Sequence, residues 1–180
     1  MSMFPIASAT SSGATADFQF TSIPQTFTHL QLRIMHRSTS SNAAGFNFLF
    51  LNGIYNSPFT QYSFHQLLGD GASATSAGVA NNSRIEYWSP STPVSTDTAG
   101  IFAVSIIDIL DYSNTNKNKT VRILTGYDKN GSGRVGMISG MLYTTQAAIT
   151  QIDFEDGFGN FAAGSRADLY GISTSTATGA

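Results

Sequence analysis

The sequence predicts an all-β fold, a two-sheet antiparallel sandwich of jelly-roll type with N- and C-terminal arms. Apolar residues alternate with polar ones in short runs along the 180-residue chain, the pattern of strands with one buried face. Turn-forming pairs such as Asn52-Gly53 and Asn130-Gly131 separate these runs. No long stretch has helical periodicity, and many antiparallel hairpins favour two packed sheets.

The alternating runs predict about ten strands, rich in β-branched and aromatic residues. They are centred on residues 18–20, 30–34, 46–50, 62–64, 85–87, 101–110, 121–123, 135–143, 152–154 and 167–172. The run 101–110 is almost continuously apolar, which predicts a central strand covered on both faces. Residues 145–149 predict a single helical turn.

Two long connections and two polar ends complete the predicted domain organisation. Residues 69–82 are nearly all small and residues 89–100 carry two prolines, so both stretches predict long loops, where such folds bind. Residues 1–15 predict an N-terminal arm and residues 173–180 a C-terminal tail around one sandwich at 16–172. Such arms either order against neighbours in an assembly or stay disordered in a lone monomer.

The composition restricts the classes of function. Charged residues make up 11% of the chain and its formal net charge is −2, against about 25% charged residues in an ordinary soluble domain. Too few cations exist to neutralise several phosphates, so we expect no nucleic-acid partner. No apolar stretch approaches the length of a transmembrane helix, and the first residues lack a signal-peptide pattern, so we expect neither a membrane partner nor secretion.

Metal and cofactor chemistry finds little support in the sequence. The chain contains no cysteine, which excludes thiolate catalysis, disulfides and cysteine-ligated zinc. The histidines His29, His36 and His65 lack metal-ligand spacing, and hydrogen-bonded or surface roles are the better interpretation. The loop 128–133 resembles the first half of a calcium loop, but Ser139 stands where a bidentate glutamate is needed, so a hairpin turn is favoured. We expect no cofactor.

Asp153, Glu155 and Asp156 form the densest acidic cluster. Asp153 and Glu155 share one strand face, so a glycosidase-like carboxylate pair is geometrically possible. Glycosidase carboxylates usually come from different strands of a cleft lined by several tryptophans, and this chain has one tryptophan. Structural carboxylates at a strand end are therefore the favoured interpretation, and we expect no enzymatic activity.

An aromatic group at Trp88, Tyr55 and Phe59 is a candidate carbohydrate platform, because flat rings suit the CH-rich faces of sugars. The competing interpretation is that Trp88 packs at the edge of the sandwich with its N–H bonded to a loop carbonyl.

Several segments resemble small structural proteins of tailed bacteriophage virions, of the capsid decoration or cement kind. They are Phe18–Leu32 with its Ser-Ile-Pro-Gln-Thr turn, residues 147–152, and residues 159–172 with the closing Leu-Tyr-Gly-Ile. The resemblance spans roughly residues 16 to 172. It implies a fold more than a task, because the shared motifs are turns and strand faces and carry no catalytic or ligand position.

From the residues and this resemblance we expect a non-enzymatic capsid decoration (cement) protein that binds the outer shell and stabilises capsomer junctions. Its expected partners are the major capsid protein and copies of itself, with a homotrimer favoured by symmetry. We expect the protein in the virion, made in the host cytoplasm and released by lysis. The candidate contact residues are Met1, Met3, Phe4, Pro5 and Ile6.

Two alternatives stay open at this point. The first is a tail or baseplate module that recognises host carbohydrate through Trp88, Tyr55 or Phe59 exposed in a concave patch. The second is a polysaccharide-degrading enzyme, which needs Asp153 and Glu155 to converge in a cleft.

Overall fold

The computed structural model describes residues 2–42, 45–55, 60–87 and 92–173, and these residues form twelve β-strands. The strands are β1 (Ser2–Thr10), β2 (Asp17–Phe20), β3 (His29–His36), β4 (Asn47–Leu51), β5 (Tyr62–Gly69), β6 (Ala74–Asn82), β7 (Ile85–Tyr87), β8 (Ala103–Ile109), β9 (Lys119–Asp128), β10 (Gly133–Leu142), β11 (Ile152–Asp156) and β12 (Arg166–Ser173). Within these described ranges, no helix has the length and apolar character needed to cross a membrane.

The strands pair in two antiparallel sheets. One has eight strands in the order β1-β12-β3-β8-β9-β10-β5-β6, and the other has four in the order β2-β11-β4-β7. The sheets pack face to face, which confirms the predicted all-β sandwich. A jelly-roll arrangement is compatible with this architecture.

The core lies between the sheets and is rich in aromatic rings. Strand β3 shows the rule, because Leu30, Leu32 and Ile34 are buried while Arg33 and Met35 point away from the core. Burying one such aliphatic side chain contributes about 1.5–3 kcal/mol. The largest buried apolar side chains are Tyr62, Tyr112, Phe18, Phe64, Phe154 and Phe161.

Phe161, in the loop after β11, connects several segments of the chain through its ring and its backbone. Its ring stacks on Phe18 at 4.6 Å and on Phe154 at 5.7 Å between centroids. Its backbone forms isolated β-bridges with Thr15 and Ser38. One residue therefore connects the chain before β2, the chain after β3 and the chain after β11.

The structure contains two strands that the sequence analysis missed, β1 and β6. Residues 74–82 were expected to belong to a long loop, and that prediction is wrong: β6 pairs with β5 in regular register from Gly69–Ala74 to Phe64–Val79. Residues 2–10 of the predicted arm form β1, which pairs with β12 of the same chain. Neither strand has a fully buried residue, so neither shows the alternation that identifies a strand.

Two further expectations are corrected. Residues 145–149 form no helical turn. Strand β8 is central in the eight-stranded sheet, as its run of apolar residues predicts, but only one of its faces is covered. Ile107 is fully buried, whereas Val104, on the opposite face, is 52% exposed.

A chain of buried hydrogen bonds runs through the core beside the aromatic rings. The His36 imidazole lies between the hydroxyls of Thr92 and Ser105, with Nε2 2.9 Å from Ser105 Oγ. Ser105 Oγ is in turn 2.8 Å from Thr125 Oγ1. Burial lowers the pKa of His36 from 6.5 to about 3, so the ring is neutral in the folded protein.

This neutral imidazole makes stability dependent on pH. The unfolded chain protonates His36 below pH 6.5 and the folded chain does not, so stability is complete above 6.5 and falls as the pH drops toward 3. From pH 7.5 to 5.0 the free energy of unfolding should decrease by about 2 kcal/mol on this account. Urea denaturation at both pH values measures the decrease.

The matched variants are His36→Gln and His65→Gln. His36→Gln removes the titrating group and should remove most of the decrease. His65 is exposed, so His65→Gln should retain it. An equal decrease in His36→Gln and in the unmodified protein would contradict the assignment.

Candidate functional site

The outer face of the eight-stranded sheet carries a contiguous group of apolar side chains, here called the outer patch. Its central row crosses four neighbouring strands through the cross-strand pairs Ile106–Leu124, Leu124–Met137 and Met137–Leu67. A second row adds the pair Met35–Val104 and, beyond Gly126, Val135. The patch therefore consists of Met35, Leu67, Val104, Ile106, Leu124, Val135 and Met137.

Most of the outer patch is open to solvent. Six of its residues are between 45% and 58% exposed, and Ile106 is half-buried. A shallow, wholly apolar depression of about 310 Å³ lies among Leu67, Leu124, Val135 and Met137. Single exposed apolar residues are normal on a soluble protein, but a continuous group of this kind marks an interaction surface.

A polar row borders the outer patch. Gln31, Asp108, Arg122, Ser139 and His65 face one another across five neighbouring strands. Gln31 donates a hydrogen bond from Nε2 to Asp108 Oδ1 at 2.8 Å. An apolar centre with a polar, hydrogen-bonding border is the usual anatomy of a protein–protein interface.

A second candidate site is an open groove beside β4 and β7, here called the aromatic groove. Its cavity has a volume of about 780 Å³. It is lined by Phe46, Phe48, Gln66, Leu68, Thr75, Ser76, Ala77, Arg84, Glu86, Arg134, Gly157 and Phe158.

The aromatic groove combines rings with a fixed ion pair. The Arg84 guanidinium carbon lies 3.9 Å from the centroid of Phe48, and Arg84 Nε lies 2.7 Å from Glu86 Oε1. Phe46 and Phe158 pack with their centroids 5.2 Å apart. A side chain at Gly157 would place its Cβ 2.6 Å from the Phe48 ring, so glycine is needed for this packing.

The sequence-predicted contact residues lie together on β1, at one edge of the eight-stranded sheet. Met3 and Phe4 are 42% and 46% exposed. The Phe4 ring stacks on Phe27 at 5.9 Å, and Ile6 packs against the core. Met1 lies outside the described residues. The described ones among these residues do not pair with a strand of the outer patch, because β12 lies between β1 and β3, the strand that carries Met35.

The predicted carbohydrate platform is only partly visible. Tyr55 is 40% exposed, and its ring packs on Phe50 at 4.6 Å. Burial raises the pKa of the Tyr55 phenol, and the neighbouring Asp153 carboxylate raises it further. Tyr55 does not line the aromatic groove. Trp88 and Phe59 lie outside the described residues.

The acidic cluster on β11 is held by structural hydrogen bonds. Asp153 is buried and accepts bonds from the amides of Gln19 at 2.7 Å and Gln151 at 3.0 Å. Asp156 Oδ1 accepts the main-chain N–H groups of residues 158 and 159, both at 3.1 Å. Burial raises the pKa of the Glu155 carboxyl, and Asp17 raises it further, while Arg84 opposes the change. Neither Asp153 nor Glu155 lines the aromatic groove.

The remaining motifs are also parts of the framework. Residues 128–133 form the predicted hairpin turn between β9 and β10, with the Asp128 carboxylate accepting the Asn130 N–H at 2.8 Å. Arg37 donates hydrogen bonds to the carbonyls of Asp97 and Thr98, in the described part of the predicted loop 89–100, and to that of Ile101, which follows it. Among the described residues, no three histidine, aspartate or glutamate side chains are grouped to hold a metal ion.

Comparison with models of protein families and with curated proteins finds no match. Among solved structures, a protein of unknown function from Shewanella oneidensis MR-1 is similar over 98% of this chain and 78% of its own. Its sequence identity is 12% and its TM-score is 0.29, so the similarity carries no argument about function.

The sequence analysis missed both candidate sites, although each left a signal. The apolar run of β8 predicted a cover over its outer face, and that cover is absent among the described residues. Phe46 and Phe48 share a strand face that is not the core face, since Leu49 and Leu51 fill the core. Apolar residues on both faces of a strand were the sign of a second apolar surface outside the core.

Neighbouring positions on β9 test whether the outer patch is free in the monomer. Ile123 is fully buried and Leu124 is 54% exposed. Ile123→Ala should lower the free energy of unfolding by about 2–5 kcal/mol, and Leu124→Ala should change it by less than ~0.5 kcal/mol. Urea denaturation at low protein concentration gives both values. A loss at Leu124 as large as that at Ile123 would show that the patch is covered within one chain.

Proposed function

We propose that this chain is a non-enzymatic structural protein that works by binding other proteins through the outer patch. The observation that carries the proposal is the central row Ile106–Leu124–Met137–Leu67, which lies on the solvent-facing side of the eight-stranded sheet. Removing apolar surface from water contributes about 25 cal/mol of favourable free energy for each Å² that a partner covers. The bordering polar row supplies hydrogen-bond donors and acceptors at the rim.

In its specific form, the proposal is a capsid decoration (cement) protein of a tailed phage, located in the virion, with the major capsid protein as its partner. Three features support it: the resemblance of residues 16–172 to virion structural proteins, a near-neutral chain without cysteine, and an exposed apolar face on the wide sheet. A protein that binds only the assembled shell stabilises that shell by mass action.

The rigid framework around the acidic cluster supports a role without chemistry. Asp153, and Asp156 through its Oδ1 atom, accept hydrogen bonds that hold β11 and its following turn, and Asp156 Oδ2 is buried. A carboxylate bound in this way contributes to folding, whereas a general acid or base must reach a substrate proton.

Quantitative mass spectrometry of particles tests the proposal. Particles purified from lysates of a culture carrying the gene should contain the chain in a fixed ratio to the major capsid protein. A few copies per particle would favour a tail or baseplate position, and absence from the particles would overturn the virion role.

A variant pair shows whether the outer patch makes the contact. Leu124→Asp with Met137→Asp places two charges in the patch and should abolish rebinding to particles stripped of the protein. Thr120→Asp adds a charge at an exposed position of β9 outside the patch and should rebind normally. Equal rebinding of both variants would exclude the patch as the binding surface.

A second candidate function is recognition of host carbohydrate, and the aromatic groove favours it. Phe158 is 47% exposed beside the Arg84–Glu86 pair, so rings for stacking and polar groups for hydroxyls share one concave site. This site differs from the predicted platform at Trp88, Tyr55 and Phe59.

A glycan array separates the two candidates. For a carbohydrate-binding protein, Phe158→Ala should weaken binding about tenfold, the effect of losing roughly 1.4 kcal/mol of ring contact. Tyr55→Ala, outside the groove, should bind normally. The reverse result would move the site to Tyr55, and no binding by the unmodified protein would remove this candidate.

A further inference from the structure

Strand β6 forms an open edge of the eight-stranded sheet. It pairs with β5 on one side, and no described residue pairs with its other side as a strand. In an antiparallel strand, alternate residues direct their N–H and C=O groups toward each side. About half of the main-chain donors and acceptors of β6 therefore point away from the sheet, in the geometry that another strand would use.

The first six residues of β6, Ala74–Val79, contain no charge, no proline and no bulge, three features that usually keep such an edge from pairing. The nine residues of the whole strand, ATSAGVANN, include no charged residue and no proline. Its register with β5 is regular from Ala74 to Val79 and shifts only beyond that point. Natural proteins block long edges with lysine, proline, bulges or a covering segment, and the regular half of β6 lacks the first three.

The opposite edge, β1, differs in the relevant respects. Pro5 lies within it and has no N–H to donate, and its register with β12 shifts between Pro5 and Ala7. Proline and an irregular register both interrupt the row of main-chain groups that a neighbouring strand would bind. The two edges of one sheet are therefore unequal, and only β6 presents an uninterrupted stretch.

We propose that β6 pairs with β6 of a second copy of this chain, in antiparallel orientation about a two-fold axis. An antiparallel pair of identical strands is self-complementary, because each donor of one copy faces an acceptor of the other. The small side chains of Ala74, Ser76 and Ala77 offer no steric barrier, and the absence of charge removes repulsion between the copies. The pairing joins the two eight-stranded sheets into one.

Between two copies of this chain, pairing of β6 with β6 fits this edge better than pairing of β6 with β1. Pairing of β6 with β1 of another copy would be head-to-tail, and such contacts form rings or open fibres. The proline and the register shift in β1 oppose that arrangement. The oligomeric state of the purified chain tests the β6 pairing, independently of any binding to particles.

Sedimentation velocity and hydrogen exchange test the pairing on the full chain. The purified protein should sediment with twice its mass of 19.1 kDa, and amides of residues 74–79 should exchange more slowly as the protein concentration rises. Ser76→Lys places two lysines close together near the axis and should raise the dissociation constant at least about tenfold. In the control Ala7→Lys, the same charge lies at an exposed position of β1 and should leave the dimer intact.

Each other outcome overturns the proposal. A monomer at about 100 µM, far above the dissociation constants typical of stable dimers, would show that β6 does not pair with itself. A species of three times the chain mass would indicate a ring with head-to-tail contacts. A dimer that withstands Ser76→Lys but dissociates with Ala7→Lys, or with Leu124→Asp, would place the contact on β1 or on the outer patch.

Discussion

The unequal width of the two sheets is the constraint on which the rest of the structure depends. Four strands cover the middle of an eight-stranded sheet, and its edge strands β1 and β6 have no fully buried residue, although Ile6 and Val79 pack against the margin of the core. The aromatic groove lies where β5 and β6 extend past β4 and β7. The outer patch exists because no second layer of the described chain packs on the far side of the wide sheet. Both candidate sites and the open edge follow from this geometry.

Buried polar groups hold the connections of the sandwich in place without the help of disulfides. Lys119 is almost completely buried, and its ammonium donates to the carbonyls of Asn114, Lys117 and Gln146. Burial lowers the pKa of Lys119, and the nearby Asp111 opposes the change. Arg37 binds the segment before β8 in the same way. Two of the few cations, Lys119 and Arg37, thus bind main-chain carbonyls inside the protein, which leaves fewer charges on its surface.

The reach of sequence reasoning in this protein is set by burial. The ten predicted strands all have a face in the core. This is expected, because a strand with one buried face shows alternating apolar and polar residues in the sequence. The two missed strands are the two edges of the wide sheet, where no residue is fully buried, and the small residues of β6 look like a loop in the sequence. β1 pairs with β12 at the other end of the chain, and β6 pairs with β5 just before it. Both pairings are made by main-chain hydrogen bonds, which do not require an apolar alternation in the sequence.

The candidate sites were harder to predict for a related reason. The outer patch needs the register of four strands, since Leu67, Ile106, Leu124 and Met137 are far apart in sequence and meet only through pairing. The aromatic groove needs the relative position of two sheets. A local pattern indicates which face of a strand is apolar, but which strands stand side by side is a property of the topology.

The position of the outer patch on a single face has a consequence for attachment. A two-fold axis between antiparallel edge strands is perpendicular to the sheet, so two chains joined at β6 turn their patches toward the same side. Such a pair can grip a surface at two points at once, and the second contact forms at a high effective concentration. On a surface that repeats the binding site, two weak contacts together give tight binding. A single free subunit of that surface offers only one contact and is bound weakly. Such a pair of chains would thereby distinguish an assembled lattice from its unassembled components.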